Sequence, residues 1–311
     1  MLDAVKTKPR RAKLIRYGLL ALCFLPLFFI RIQGTGSPFI GELLDGAHIG
    51  VFFVVSWILF PLISGSHLRK SLYLITITAI ASILIEGIQE SVGRAFQMAD
   101  IMRNFIGLAL GLSLRIRLKA KTTNAKKWSN WAFLLFVIVF FIERYPLFKL
   151  ITAQAYFRIN APVLADFDYE FEMGNWQANY ARIGYEDGAL VLFTTPEKHF
   201  SGVFFRDFPA DWRGFSALHL EIENSQTTAK ALTLKITDLT HDLGPHHYDE
   251  RYNRSFVLQP GENHITVSLD DVEYAPKSRL LNISEISRID LFLSEPGSGE
   301  VFRIDKIYLI R

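Results

Sequence analysis

Apolar and polar positions follow two different patterns along the chain, and the change falls near residue 150. Before it, long apolar runs are broken by short polar stretches. A bilayer-crossing helix needs about 20 mostly apolar residues. Five runs approach that length, at roughly 14–32, 47–64, 71–89, 97–115 and 128–145. After the change, short runs rich in β-branched and aromatic residues alternate with turn signals. They predict strands near 189–195, 201–208, 216–224, 232–238, 254–259, 263–269, 288–294 and 302–310. In SALHLEIEN, Leu218, Leu220 and Ile222 fall on one face while His219, Glu221 and Glu223 fall on the other. Gln259-Pro260-Gly261-Glu262 reads as a turn between two strands. The expected fold class is therefore multi-domain: an all-α membrane helix bundle of about five spans, then an all-β antiparallel sandwich or jelly roll. The expected boundaries are a basic N-terminus at 1–16, a transmembrane domain at 14–145, a connector at 146–162 and the sandwich at 163–311.

One polar stretch interrupts the membrane half. Glu86 and Gln89 lie on one helical face at the end of the third run, and Asp100 and Asn104 on one face at the start of the fourth. Arg94 sits between them, and Asp45 and His48 open the second run. These residues are expected at one membrane depth. Ionisable groups there are costly alone and often mark a site when grouped. Glu90 and Arg103 read as solvated, and Glu143 and Arg144 as anchors at the end of a span. Gly107 and Gly111 form a GxxxG step that would let helices approach closely.

Charge adds an orientation. The net charge is only +3, and its basic residues cluster beside apolar runs, which favours membrane topology over nucleic-acid binding. Lys6, Lys8, Arg10, Arg11, Lys13 and Arg16 precede the first run, and 115–127 is strongly basic. The loop at 33–46 has no Lys or Arg. The positive-inside rule then places the N-terminus in the cytoplasm and the C-terminal half outside. Arg31 directly follows the first run, and no small-x-small cleavage site is visible, so that run reads as a retained anchor. The single cysteine, Cys23, permits no intramolecular disulfide.

The ordered set Glu86, Gln89, Gly93, Arg94, Asp100, Asn104 and Gly107, preceded by Asp45 and His48, resembles the VanZ-like family over roughly residues 40–115. That family takes its name from a protein linked to resistance to a glycopeptide antibiotic. The resemblance implies a multi-pass protein of a bacterial inner (cytoplasmic) membrane and does not by itself imply resistance. DFDYE (166–170) with Trp176, WRGFSAL (212–218), RYNRSF, QPGENHITVSL and FRIDKIYL resemble a galactose-binding-like, carbohydrate-binding-module-type sandwich across nearly all of 163–311.

Within the sandwich, Tyr248, Tyr252, Trp212 and Trp176 are candidate sugar platforms, although aromatics of this kind also fill cores. The loop THDLGPHHYDERYN holds His241, Asp242, His246, His247, Asp249 and Glu250, but without ligand spacing it reads as a polar loop. Asp166 and Asp305 are scattered carboxylates near the two ends of the domain. No metal and no cofactor is expected. The expected partners are the lipid bilayer and a cell-envelope glycan or lipid-linked precursor, with no nucleic acid. Two functions stay open. One is a polar membrane site handling an amphipathic or glycan-linked ligand beside an extracytoplasmic binding domain. The other is a non-catalytic anchor displaying a carbohydrate- or protein-binding sandwich. No nucleophile motif is present, and enzymatic activity is left open.

Overall fold

The computed structural model describes residues 37–91, 96–196, 199–294, 296 and 299–311. The expected span at 14–32 and Arg94 lie outside them. The described chain forms two compact units. One contains Gly41–Tyr145, and the other contains Pro146–Arg311.

The first unit is helical: α1 (Pro38–Leu59), α2 (His67–Ser91), α3 (Met98–Lys119) and α4 (Thr123–Glu143). Local chemistry sets the starts. Pro38 occupies the first helical position of α1, where its missing N–H costs nothing, and the Thr122 side chain caps α4 by accepting the Ala125 N–H. Helices α1, α2 and α4 are long and apolar enough to cross a membrane, with mean hydropathies of 1.5, 1.9 and 1.4. Helix α3 does not join them, because it carries Asp100 and Arg103 near its start and Arg115, Arg117 and Lys119 near its end. Helix α2 leaves Ile80, Ile83 and Leu84 each more than half exposed while burying Thr78, Ser82, Glu86 and Gln89. Its polar stripe faces protein and its apolar stripe faces outward, as expected of a helix solvated by lipid.

The expected connector at 146–162 is mostly a fifth helix, α5 (Tyr145–Ile159). It packs into the second unit. Leu150, Ala153 and Phe157 are at most 3% exposed, and the Phe157 ring meets Phe205 edge-on at 5.8 Å. The apolar residues of α5 are spaced to cover a sheet, which explains why a connector is helical and buried.

That sheet belongs to an antiparallel sandwich. The eight expected strands are present, joined by three more: β1 (Val163–Ala165), β2 (Trp176–Asn179) and β3 (Ala181–Glu186). The others are β4 (Ala189–Thr194), β5 (Phe200–Phe205), β6 (Ala217–Asn224), β7 (Lys230–Asp238), β8 (Tyr252–Leu258), β9 (Gly261–Ser268), β10 (Ile286–Ser294) and β11 (Val301–Ile310). One sheet runs β3-β4-β11-β6-β9 with β1 also on β11; the other runs β2-β5-β10-β7-β8. Leu218, Leu220 and Ile222 of β6 and Leu232, Leu234 and Ile236 of β7 meet in one core. Two short helices, α6 (Leu239–Leu243) and α7 (Leu269–Glu273), cap strand ends.

The docking of α5 gives a testable boundary. A fragment 145–311 is expected to fold cooperatively. A fragment 163–311 loses Phe157 and Ala153 from the core, which costs about 3–5 kcal/mol for the phenylalanine alone. Circular dichroism melts of the two fragments check this. Equal midpoints would show that α5 is dispensable.

Candidate functional site

In the helical unit the polar residues gather at one end. Helix α1 brings Asp45 and His48, α2 brings Ser82, Glu86 and Gln89, and α3 brings Asp100, Arg103 and Asn104. His48 Nδ1 and Asn104 Oδ1 are 3.0 Å apart, and Asn104 Nδ2 donates to Ser82 Oγ at 2.9 Å. His48 Nε2 lies 3.5 Å from Asp100 Oδ2. Six of the seven residues singled out from the sequence are thus placed at this end: Asp45, His48, Glu86, Gln89, Asp100 and Asn104. Four are within 1% of full burial: Glu86, Gln89, Asp100 and Asn104.

The centre of the network is a residue the sequence reading assigned to solvent. Arg103 Nη1 donates to Asp100 Oδ1 at 2.6 Å and lies 2.9 Å from Asp45 Oδ2, while its Nε donates to Glu143 Oε1 at 2.6 Å. Arg144, expected as an anchor at a span end, is 2% exposed. It also bonds Glu143 and donates to the Glu42 carbonyl at 2.8 Å. Arg103 and Glu143 are therefore structural members of the cluster. A planar guanidinium with five donors can serve several carboxylates at once. Glu86 accepts the Gln97 N–H at 2.9 Å on Oε2, while its buried Oε1 has no hydrogen-bond partner among the described residues.

The glycine step behaves as its spacing suggests. A Cβ on Gly107 would fall 2.2 Å from the Ile49 carbonyl oxygen, and one on Gly111 would fall 2.7 Å from that of Phe53. These two positions let α3 lie against α1 backbone to backbone, which holds His48 over Asp100 and Asn104.

In the sandwich, three of the four aromatic candidates are core. Trp212 is 0% exposed and Trp176 and Tyr252 are 4% exposed. Trp176 stacks on Phe205 with ring centroids 4.5 Å apart. Tyr248 alone is open, at 62% exposure. The acidic groups of the histidine-rich loop are paired with residues outside it. The loop folds into α6 and a 3-10 turn at Tyr248–Glu250. Asp242 accepts from Arg206 Nη1 at 2.8 Å and Thr237 Oγ1 at 3.0 Å, and Asp238 is paired with Arg279. Asp166 accepts the Tyr156 hydroxyl at 3.0 Å, and Asp305 lies 3.8 Å from Arg303.

Tyr248 stands at an open groove of about 440 Å³ on the outward face of the five-stranded sheet, a volume in the range of small-molecule sites. Strand register builds its floor. Asp290 of β10 is opposite Lys235 of β7, which is opposite Asn253 of β8. In the next row, Phe292 is opposite Thr233, which is opposite Ser255. Residues two apart share a face, so both rows point outward while Leu234, Ile289 and Leu291 point into the core. Lys235 Nζ is 3.1 Å from Asp290 Oδ2, and Arg288 Nε donates to Asp290 Oδ1 at 2.8 Å. The Arg251 guanidinium lies over the Tyr248 ring at 4.8 Å. Burial pushes the Lys235 ammonium below its usual range, partly offset by Asp290, and burial likewise lowers Arg251. Lys235, Arg251 and Arg288 against Asp290 leave the groove at a formal +2 (three cations less one anion). Arg251 Nε and Asn253 Oδ1 are buried without hydrogen-bond partners among the described residues. The sequence reading missed this site apart from Tyr248, because its residues come from five separate strands and a turn.

No family model matches the chain, and no curated protein matches it. Among solved structures it is similar to a family 11 carbohydrate-binding module from Clostridium thermocellum in complex with a β-1,3-1,4-mixed-linked tetrasaccharide. Identity is 17%, covering 48% of this chain and 94% of that one, with a TM-score of 0.37. It is also similar to an exo-β-agarase, at 18% identity over 47% of this chain and 24% of that one, TM-score 0.38. A third is PfGH50B, at 20% identity over 43% and 22%, TM-score 0.36. The chain thus spans about a quarter of the length of those two larger proteins.

Proposed function

We propose that this protein is a membrane-anchored binding protein whose ligand, an acidic saccharide, is held in the groove on the five-stranded sheet. The carrying observation is that the groove combines an open aromatic ring, a net positive charge and buried polar atoms lacking partners among the described residues. Tyr248 offers a sugar its ring face. Arg251 and Lys235 attract a carboxylate or phosphate on that sugar, and Asn253 Oδ1 accepts a hydroxyl. The polar residues of the helices are, by contrast, largely joined to one another, which favours bracing over ligand handling. On this reading the helices belong to a bacterial envelope membrane, with the sandwich outside and the N-terminus in the cytoplasm, as loop charge suggests.

A second reading rests on Glu86. Its buried Oε1 lacks a hydrogen-bond partner among the described residues, which suits a polar membrane site of the VanZ-like kind, taking an amphipathic or lipid-linked ligand.

Both readings are tested with the full chain in nanodiscs on an array of neutral, uronate-bearing and phosphorylated envelope glycans. Binding is expected only to the acidic members, to weaken with salt, and to fall about 10-fold or more in Arg251→Gln. Retention of binding in Arg251→Gln and Lys235→Gln, with loss in Glu86→Gln, would transfer the ligand site to the helices.

A further inference from the structure

We propose that the outward face of the six-stranded sheet carries a transition-metal site formed by His219, Glu221 and His264, independent of the groove on the opposite sheet. Strands β6 and β9 create it by register. His219 and Glu221 are two apart on β6 and share a face, and His264 of β9 lies directly opposite Glu221. One ligand atom from each of the three falls within 4.8 Å of the other two. Zinc–nitrogen bonds of about 2.0–2.1 Å in a tetrahedral set need ligand atoms about 3.4 Å apart. Closing that gap takes at most about 1.4 Å of side-chain movement, and His264, exposed on an edge strand, is free to supply it.

The surroundings orient the ligands. His219 Nδ1 is 2.8 Å from Thr266 Oγ1, so a proton on Nδ1 leaves the Nε2 lone pair for a metal. Tyr308 packs on the same histidine, with ring centroids 4.9 Å apart. The His219 and His264 rings lie nearly parallel with centroids 5.8 Å apart. Two imidazoles and one carboxylate suit zinc, cobalt, nickel or copper, whereas calcium and magnesium prefer all-oxygen sets. Three protein ligands on an open face leave at least one position for water or an incoming group. The sequence hides the site because β7 and β8 intervene between its two strands.

The test uses the full chain in detergent, freed of any affinity tag and treated with chelator, titrated with Zn²⁺ by calorimetry and with Co²⁺ by visible absorption. One Zn²⁺ per chain is expected. A cobalt ligand-field band is expected to appear on titration at pH 7.5. His264→Ala and Glu221→Gln are each expected to weaken binding by at least about 10-fold. Both changes lie on the sheet exterior, and unaltered melting of the metal-free variants will show that the fold persists. No binding by the unaltered chain, or equal binding by the His264→Ala and Glu221→Gln variants, would overturn the proposal.

Discussion

Arg103→Gln is expected to destabilise the helical unit by about 3–5 kcal/mol, the typical cost of removing one partner from a buried ion pair. The arginine is the shared counterion of Asp45, Asp100 and Glu143, which come from three helices. Asp100 is only 1% exposed, so its charge has no route to water once the guanidinium is gone. Arg103→Lys should recover part of the loss. An ammonium keeps the charge but cannot reproduce the planar fork that reaches Asp100 and Glu143 together. Asp100→Asn in the Arg103→Gln background should also recover part, because it removes the stranded charge. Thermal unfolding in detergent, followed by circular dichroism, reads all three. A midpoint for Arg103→Gln equal to that of the unaltered protein would mean that the network contributes nothing to stability.

Gly107→Val is expected to separate α1 from α3, with a loss at or above the upper end of the 1–3 kcal/mol usual for overpacking. The obstruction at Gly107 is the Ile49 carbonyl oxygen, at 2.2 Å from an added Cβ. Backbone cannot rotate away as a side chain can. At Gly111 the nearest atom is Ser56 Oγ, which can turn aside, and the backbone obstruction, the Phe53 carbonyl oxygen, stands farther off at 2.7 Å, so Gly111→Ala should be the milder change. Gly107 lies one turn from Asn104, so the separation should also pull His48 from Asn104 and Asp100. Limited proteolysis in detergent, together with the melting midpoint, checks the order. Gly107→Val melting no lower than Gly111→Ala would contradict the close backbone contact.

These two expectations bear on what the helical unit does. If Arg103 and Gly107 affect stability without affecting glycan binding, the helices act as an anchor and the groove as the working site. If glycan binding is lost in variants that still melt normally, the polar network itself takes part in recognition.

Much of the organisation was legible in the chain. The strand pattern of β6 follows from alternation, because a half-buried strand must alternate. The polar end of the helical unit was visible as Glu86, Gln89, Asp100 and Asn104, since helical spacing of three or four sets a face without tertiary information. The GxxxG step named the close contact in the same way. The three extra strands β1–β3 were harder to see. They are short, and their burial comes from neighbours rather than from their own pattern.

By itself, then, the sequence determined two units of opposite character, the faces of their helices and strands, and the polar end of the first. Only the tertiary structure decided which faces meet. Arg103 reads as an ordinary charged residue until α1 and α4 bring Asp45 and Glu143 to it. Trp176 and Trp212 read equally as sugar platforms or as core until the sandwich closes over them, and α5 reads as a linker until its apolar side finds a sheet to cover. The groove around Lys235, Arg251 and Asp290 and the cluster of His219, Glu221 and His264 depend on register between strands far apart in the chain. A side-chain period of two fixes which residues share a face, but the partner strand and its offset come from packing of the whole sandwich.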